Sequence, residues 1–171
     1  MYDIKDLAHK ESILKEDFKT HFINFFTEFD YLNLVNSKIK QDDIYSHEYI
    51  SSVRYGSGLY LILSNYMSEE NPCNLEINDL KVIYRSHGRR IKKRVESHLF
   101  NDEYNNDRDG TIYNVCMKLD NNDGININQQ PYCNYSWAVI QHPMTGSSKT
   151  MREHAEQAFD HVYSMPIGSN A

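Results

Sequence analysis

A mainly α fold carrying a small β-hairpin wing is what the sequence predicts, and three observations predict it. A long amphipathic period fills residues 11–36, two short helical patterns near 78–85 and 87–100 almost touch, and an Asp109-Gly110 turn precedes the alternating run Thr111–Leu119. The chain has 171 residues, 40% of them apolar and 25% charged, with seven glycines and four prolines. That length supports one sizeable core, and the composition excludes a disordered or fibrous chain. One domain over 1–171 is expected, with an N-terminal helix and linker (11–46), a central unit (47–119), and a loop, strand and C-terminal helix (120–171).

Each element has its own justification. In ESILKEDFKTHFINFFTEFDYLNLVN, residues Ile13, Leu14, Phe18, Phe22, Phe25, Phe26, Phe29, Leu32 and Val35 recur at helical spacing and form an aromatic face. Ser37–Ser46 lacks a period and reads as a connection. A second helix is expected over His47–Tyr66, weakened by Gly56 and Gly58, and Pro72 closes the turn after it. The two short helices follow. NDEYNNDRDG ends in a dipeptide suited to a tight hairpin, so TIYNVCMKL reads as a strand with a short partner near 103–105. Beyond a loop, WAVIQ at 137–141 is a second strand that His142-Pro143 ends. Residues 148–163 form the last helix, with Ser147 or Ser148 as N-cap and Met151, Ala155, Ala158, Phe159 and Val162 on one stripe. Met165–Ala171 reads as a loose tail.

Several function classes are disfavoured. No apolar run approaches membrane-spanning length and Met1–Lys10 lacks a secretory pattern, so a cytoplasmic protein without membrane contact is expected. Cys73, Cys116 and Cys133 match neither a disulfide framework nor a zinc pair, and buried free thiols are the expectation. His154 and His161 stand two helical turns apart, about 10.5 Å, too far to share one metal. No cofactor or metal is expected. TGSSKT at 145–150 lacks the spacing of a phosphate loop and is explained by an N-cap turn.

Charge distribution points to a partner. The net charge is −6, yet Lys81–Val95 holds seven basic residues and no acidic one, which leaves −13 elsewhere. A single positive patch on an acidic body suits a protein that meets phosphate with one face. Leu75, Ile77, Leu80 and Tyr84 supply a first apolar stripe, Ser86-His87-Gly88 a turn, and Ile91, Val95, His98 and Leu99 a second stripe. A helix-turn-helix needs these parts in this order. Arg89, Lys93 and Glu96 then face outward, flanked by Arg90, Lys92 and Ser97. Arg89 and Arg90 are the base-reading candidates, with Ser86, His87, Lys92, Lys93, Arg94 and Ser97 as further DNA contacts. Arg108 at the wing tip is placed to enter a minor groove.

With the wing carrying Asp107-Arg108-Asp109, residues 47–119 resemble the MarR/SarA group of winged-helix regulators. Relative to that group Asp120–Ser147 is an insertion. The resemblance implies a homodimer held by its terminal helices, with Arg108 contacting DNA. The expectation is a non-enzymatic, double-stranded-DNA-binding transcriptional regulator. The alternatives are a small acidic inhibitor or immunity protein of a mobile element, and a histidine-containing metal protein or enzyme. A small-molecule ligand is left open, with Tyr132, Tyr135 and Trp137 as possible pocket walls.

Overall fold

The run GLYLILS is a central β-strand. All seven of its residues are buried, and a strand covered on both faces carries continuous apolar sequence rather than alternation. The computed structural model describes residues 3–35, 37–106 and 115–170. In chain order they form α1 (Ile4–Glu28), β1 (Lys40–Asp43), a 3-10 turn at His47–Ser52, β2 (Gly58–Ser64), β3 (Glu76–Ile77) and β4 (Leu80–Gly88). Then come α2 (Ile91–Leu99), α3 (Asn101–Asn106), β5 (Lys118–Leu119), β6 (Asn122–Asp123), a 3-10 turn at Tyr132–Asn134, β7 (Trp137–Pro143) and α4 (Lys149–Tyr163).

Five strands make one curled antiparallel sheet in the order β1-β7-β2-β4-β3, and β5 and β6 pair separately. Gly58 sits where β2 meets β7, and an added Cβ would lie 2.1 Å from His142 O, so only glycine allows the strands to close there. The sheet is covered on both sides. On one side Leu59, Leu61, Leu63, Ala138 and Ile140 meet Phe26 of α1 and Ala158 and Phe159 of α4. On the other, Tyr60, Ile62, Tyr84 and Val139 meet Ile91, Val95 and Leu99 of α2, with Met117, Ile125 and Ile127 completing the layer.

This architecture is α+β, and it corrects the expected mainly α fold with a hairpin wing. The predicted helix over His47–Tyr66 is a 3-10 turn followed by β2, and the predicted first helix of the helix-turn-helix is β4. The i, i+4 pair Leu80 and Tyr84 suggested a helix, but the run LKVIY is rich in β-branched and aromatic residues, which fit a pleated surface. A β-bulge at Ile83 disguised the strand by breaking its alternation: Leu63 pairs with Val82 while Ile62 pairs with Tyr84. Ser86-His87-Gly88 continues that strand instead of turning. The expected wing partner near 103–105 is part of α3; Arg108 and residues 111–114 of the expected wing strand lie outside the described residues, and of the remainder only Lys118–Leu119 is strand, paired with β6.

Other expectations hold in part. The first helix begins earlier and ends earlier than 11–36, capped by Asp3, whose side chain accepts from Lys5 N. The strand at WAVIQ is β7, which lies between β1 and β2, so the segment Asp120–Ser147 contributes one strand to the main sheet. α4 matches its expected bounds, with Ser148 Oγ accepting from Met151 N at 3.1 Å. The tail after it is packed. Gly168 N donates to Ile83 O at 2.8 Å and Lys118 N to Gly168 O at 3.1 Å, which threads the C-terminal segment along the outer edge of β4. Of the three thiols, Cys73 is buried, Cys116 half-buried and Cys133 exposed. No helix among the described residues is long and apolar enough to cross a membrane.

Candidate functional site

β2 and β4 each place a tyrosine beneath α2. Tyr60 and Tyr84 lie on the α2 side of adjacent antiparallel strands, with Tyr60 opposite Ser86 and Tyr84 opposite Ile62. From α2, the i, i+4 pair Arg94 and His98 projects onto them. Tyr60 Oη and His98 Nε2 are 2.8 Å apart, and the His98 ring meets Tyr84 edge-on with centroids 4.7 Å apart. Tyr60 and His98 are fully buried and Tyr84 nearly so.

Burial sets the ionisation of this group. It raises Tyr60 well above the ordinary phenol value, with Tyr84 adding to the rise and Arg94 and Ser86 opposing it. Burial likewise lifts Tyr84 to about 12. His98 is pushed well below its ordinary value by burial and, second, by the Arg94 charge, so it is neutral. Arg94 itself is also desolvated, but Tyr60, Cys116 and Tyr84 outweigh that effect and hold it charged. Its Nη2 donates to Cys116 Sγ at 3.2 Å.

A carboxylate stands beside the edge of β4 that the C-terminal segment lines. The bulge turns Arg85 and His87 toward α4, where Arg85 binds Glu156 and Asp160 and His87 Nε2 lies 3.4 Å from Glu156 Oε2. Burial raises Glu156 to about 7; Arg85 opposes the rise, while Asp160 and Glu153 add to it. Asn170 ties the two sides together, since its Nδ2 donates to Cys116 O at 2.9 Å and its carbonyl accepts from Arg85 Nη1 at 3.3 Å. A cleft of about 340 Å³ opens beside this group, lined by Gly88, Arg89, Arg90, Lys93, Arg94 and Tyr104. Arg94 is common to the cleft and to the buried tyrosines.

The residues expected to touch DNA are thus divided. Arg89, Arg90 and Lys93 are exposed at the cleft, Lys92 is half-buried, and Lys93 also pairs with Glu96 at 2.9 Å. Ser86 and Ser97 are buried, and Ser97 Oγ donates to Arg94 O at 2.7 Å within its own helix. His87 is half-buried against Glu156, and Arg94 points inward to the tyrosines. Sequence reasoning missed Tyr60, Tyr84, His98 and Glu156 as a group. One signal was present: a histidine inside the apolar stripe of α2.

Among the described residues no cluster of three or more histidine, cysteine, aspartate or glutamate side chains could hold a metal ion. No family model matches the chain, and neither a curated protein nor a solved structure matches it.

Proposed function

We propose that the protein hydrolyses phosphodiester bonds of nucleic acid at the Tyr60–Tyr84–Arg94–His98 group. The observation that carries this reading is Arg94, a desolvated guanidinium that lines a basic cleft and is coupled from behind to two buried tyrosines and a neutral histidine. A planar guanidinium in a low-dielectric wall suits the non-bridging oxygens of a phosphate, whose charge grows as the phosphorus is attacked. Arg89, Arg90 and Lys93 at the mouth favour a polyanionic substrate over a neutral one.

The residues divide the work as follows. Water adds to phosphorus, the bond to the leaving oxygen breaks, and that oxygen takes up a proton from solvent. Arg94 holds the phosphate and stabilises its growing charge, while Tyr60 and Tyr84, enclosed behind it, hold the guanidinium in place. His98 orients Tyr60. Among the described residues that line the cleft none is a carboxylate, so the attacking water gives up its proton to solvent.

The transcription-regulator reading rested on an outward recognition helix braced by another helix. α2 instead packs on the sheet and buries six of its nine residues. Nucleic acid remains the partner we propose, as substrate. Self-association also remains part of the proposal, carried by Ile4, Leu7, Ile13 and Leu14, which stay exposed on α1 while Phe26 is buried and Phe22, Phe25 and Phe29 pack against the core.

The test is hydrolysis of bis(p-nitrophenyl) phosphate and of end-labelled DNA, with Mg²⁺ and with a chelator. Cleavage that disappears in Arg94→Ala is expected. Absence of hydrolysis by the unmodified protein under both conditions would reject the reading.

A further inference from the structure

We infer that Arg89, Arg152 and the first turn of α4 form a second phosphate subsite, which takes a further backbone phosphate of the strand held at Arg94. This rests on the hydrolytic reading above and adds its substrate class: a polynucleotide strand, rather than an isolated phosphodiester.

Arg152 carries the inference. It is 3% exposed, and its guanidinium folds back over the start of α4, where Nη1 donates to Ser147 O at 2.6 Å and to Ser147 Oγ at 3.0 Å. Its Nε is buried without a hydrogen-bond partner, as is Nδ1 of the adjoining His87. A buried donor left unpaired costs free energy unless a ligand or water meets it. The carboxylates nearby, Glu153 and Glu156, are each shared with other cations. Arg85 occupies Glu156 and Asp160, Lys149 pairs with Glu153 at 3.2 Å, and Arg89 meets no carboxylate among the described residues.

The field there is positive. Burial and then the Arg89 charge weaken the hold of Arg152 on its proton, and burial and then Arg152 do the same to His87, with Glu153 opposing but not reversing either effect. Two guanidiniums this close repel unless an anion lies between them. The amides at the N-terminus of the fifteen-residue α4 add to that preference. The segment TGSSKT, which lacks the spacing of a phosphate loop, would serve here as the approach to a helix terminus.

The order of the elements links the two places. Arg152 precedes Glu156 by one turn of α4, Glu156 meets Arg85 and His87 at the edge of β4, and Gly88 and Arg89, next in the chain, line the cleft with Arg94. The bound strand would run from Arg94 past His87 to the start of α4.

The experiment is fluorescence anisotropy of a labelled twelve-nucleotide DNA, with chelator present, across a salt series. Arg89→Ala, an exposed change, and Arg152→Gln, checked for folding by circular dichroism, should each weaken binding roughly tenfold and lower the salt slope by about one. Curves for Arg89→Ala that superimpose on the unmodified protein would overturn the subsite. So would inorganic phosphate binding as tightly as the oligonucleotide, which would mark a free-anion site. Loss of hydrolysis and loss of this binding are separate readouts. An inactive protein whose Arg89→Ala form still binds weakly would sink the hydrolytic reading and keep the anion subsite, while an active protein with unaltered binding would do the reverse.

Discussion

The Tyr60 hydroxyl and the His98 imidazole, 2.8 Å apart and wholly enclosed, join the central strand to the basic helix. Each leaves the other a poor partner for anything else, since the imidazole is neutral and the phenol does not ionise in the physiological range.

Tyr60→Phe removes that contact and leaves His98 Nε2 unpaired in the core. A loss of about 1–3 kcal/mol in urea denaturation is expected, the usual cost of a buried orphan group. Hydrolysis of DNA by the folded variant should fall by roughly 10²-fold, because Arg94 loses part of the support that positions it. Full activity would remove Tyr60 from the mechanism.

Arg94→Lys keeps the charge but loses the planar fork. Binding of labelled DNA should drop less than cleavage, because a point charge attracts phosphate without matching it in two places. A variant that cleaves as well as the unmodified protein would show that charge alone suffices.

Arg85→Met leaves Glu156 and Asp160 facing each other without their shared cation. Breaking a buried ion pair from one side costs about 3–5 kcal/mol, and partial exposure of the two carboxylates places this case toward the lower end. The denaturation midpoint reports it. Arg85→Met with both carboxylates changed to glutamine should recover most of the loss.

Acid should destabilise the protein through its buried histidines. His142 is pushed down to about 3 by burial alone, and His98 is also depressed, whereas an unfolded histidine binds its proton near 6.5. Below 6.5 the unfolded chain takes up protons that the folded one refuses, so stability present above that pH is lost as pH falls toward 3. The slope approaches about 1.4 kcal/mol per pH unit for each histidine. Glu156 acts with opposite sign: its raised value means a contribution present below 4.5 and lost as pH rises through about 7. Urea midpoints between pH 4 and 6.5 should therefore vary less in His142→Gln.

The exposed apolar residues of α1 predict a change without a folding cost. Leu7→Lys with Leu14→Lys should leave the denaturation midpoint within about 0.5 kcal/mol and shift light-scattering mass toward the single chain. An unmodified protein that is already monomeric at micromolar concentration would remove the self-association proposal.

Helices with long, uninterrupted stripes were legible in the sequence, as α1 and α4 attest, and so was β7 with its terminating His142-Pro143. The sheet centre was not. GLYLILS is buried on both faces and carries no period to distinguish strand from helix, and LKVIYRSHG hides its period behind the bulge. Of the candidate site, the basic cluster could be read directly, because charge is a local property. Its chemistry could not: Tyr60, Tyr84, His98 and Glu156 come from four elements and meet only through the β2–β4 register.

Ile83 supplies one residue more than its partner strand requires, and that surplus serves the C-terminal segment. Deleting it would leave a regular ladder in which Tyr84 still stands opposite Ile62 and Arg85 opposite Leu61. What would be lost is the carbonyl that accepts from Gly168 N at 2.8 Å, and with it the seam holding residues 168–170 against the sheet. A single-codon loss at this position should thus be far more damaging than any conservative exchange of the isoleucine.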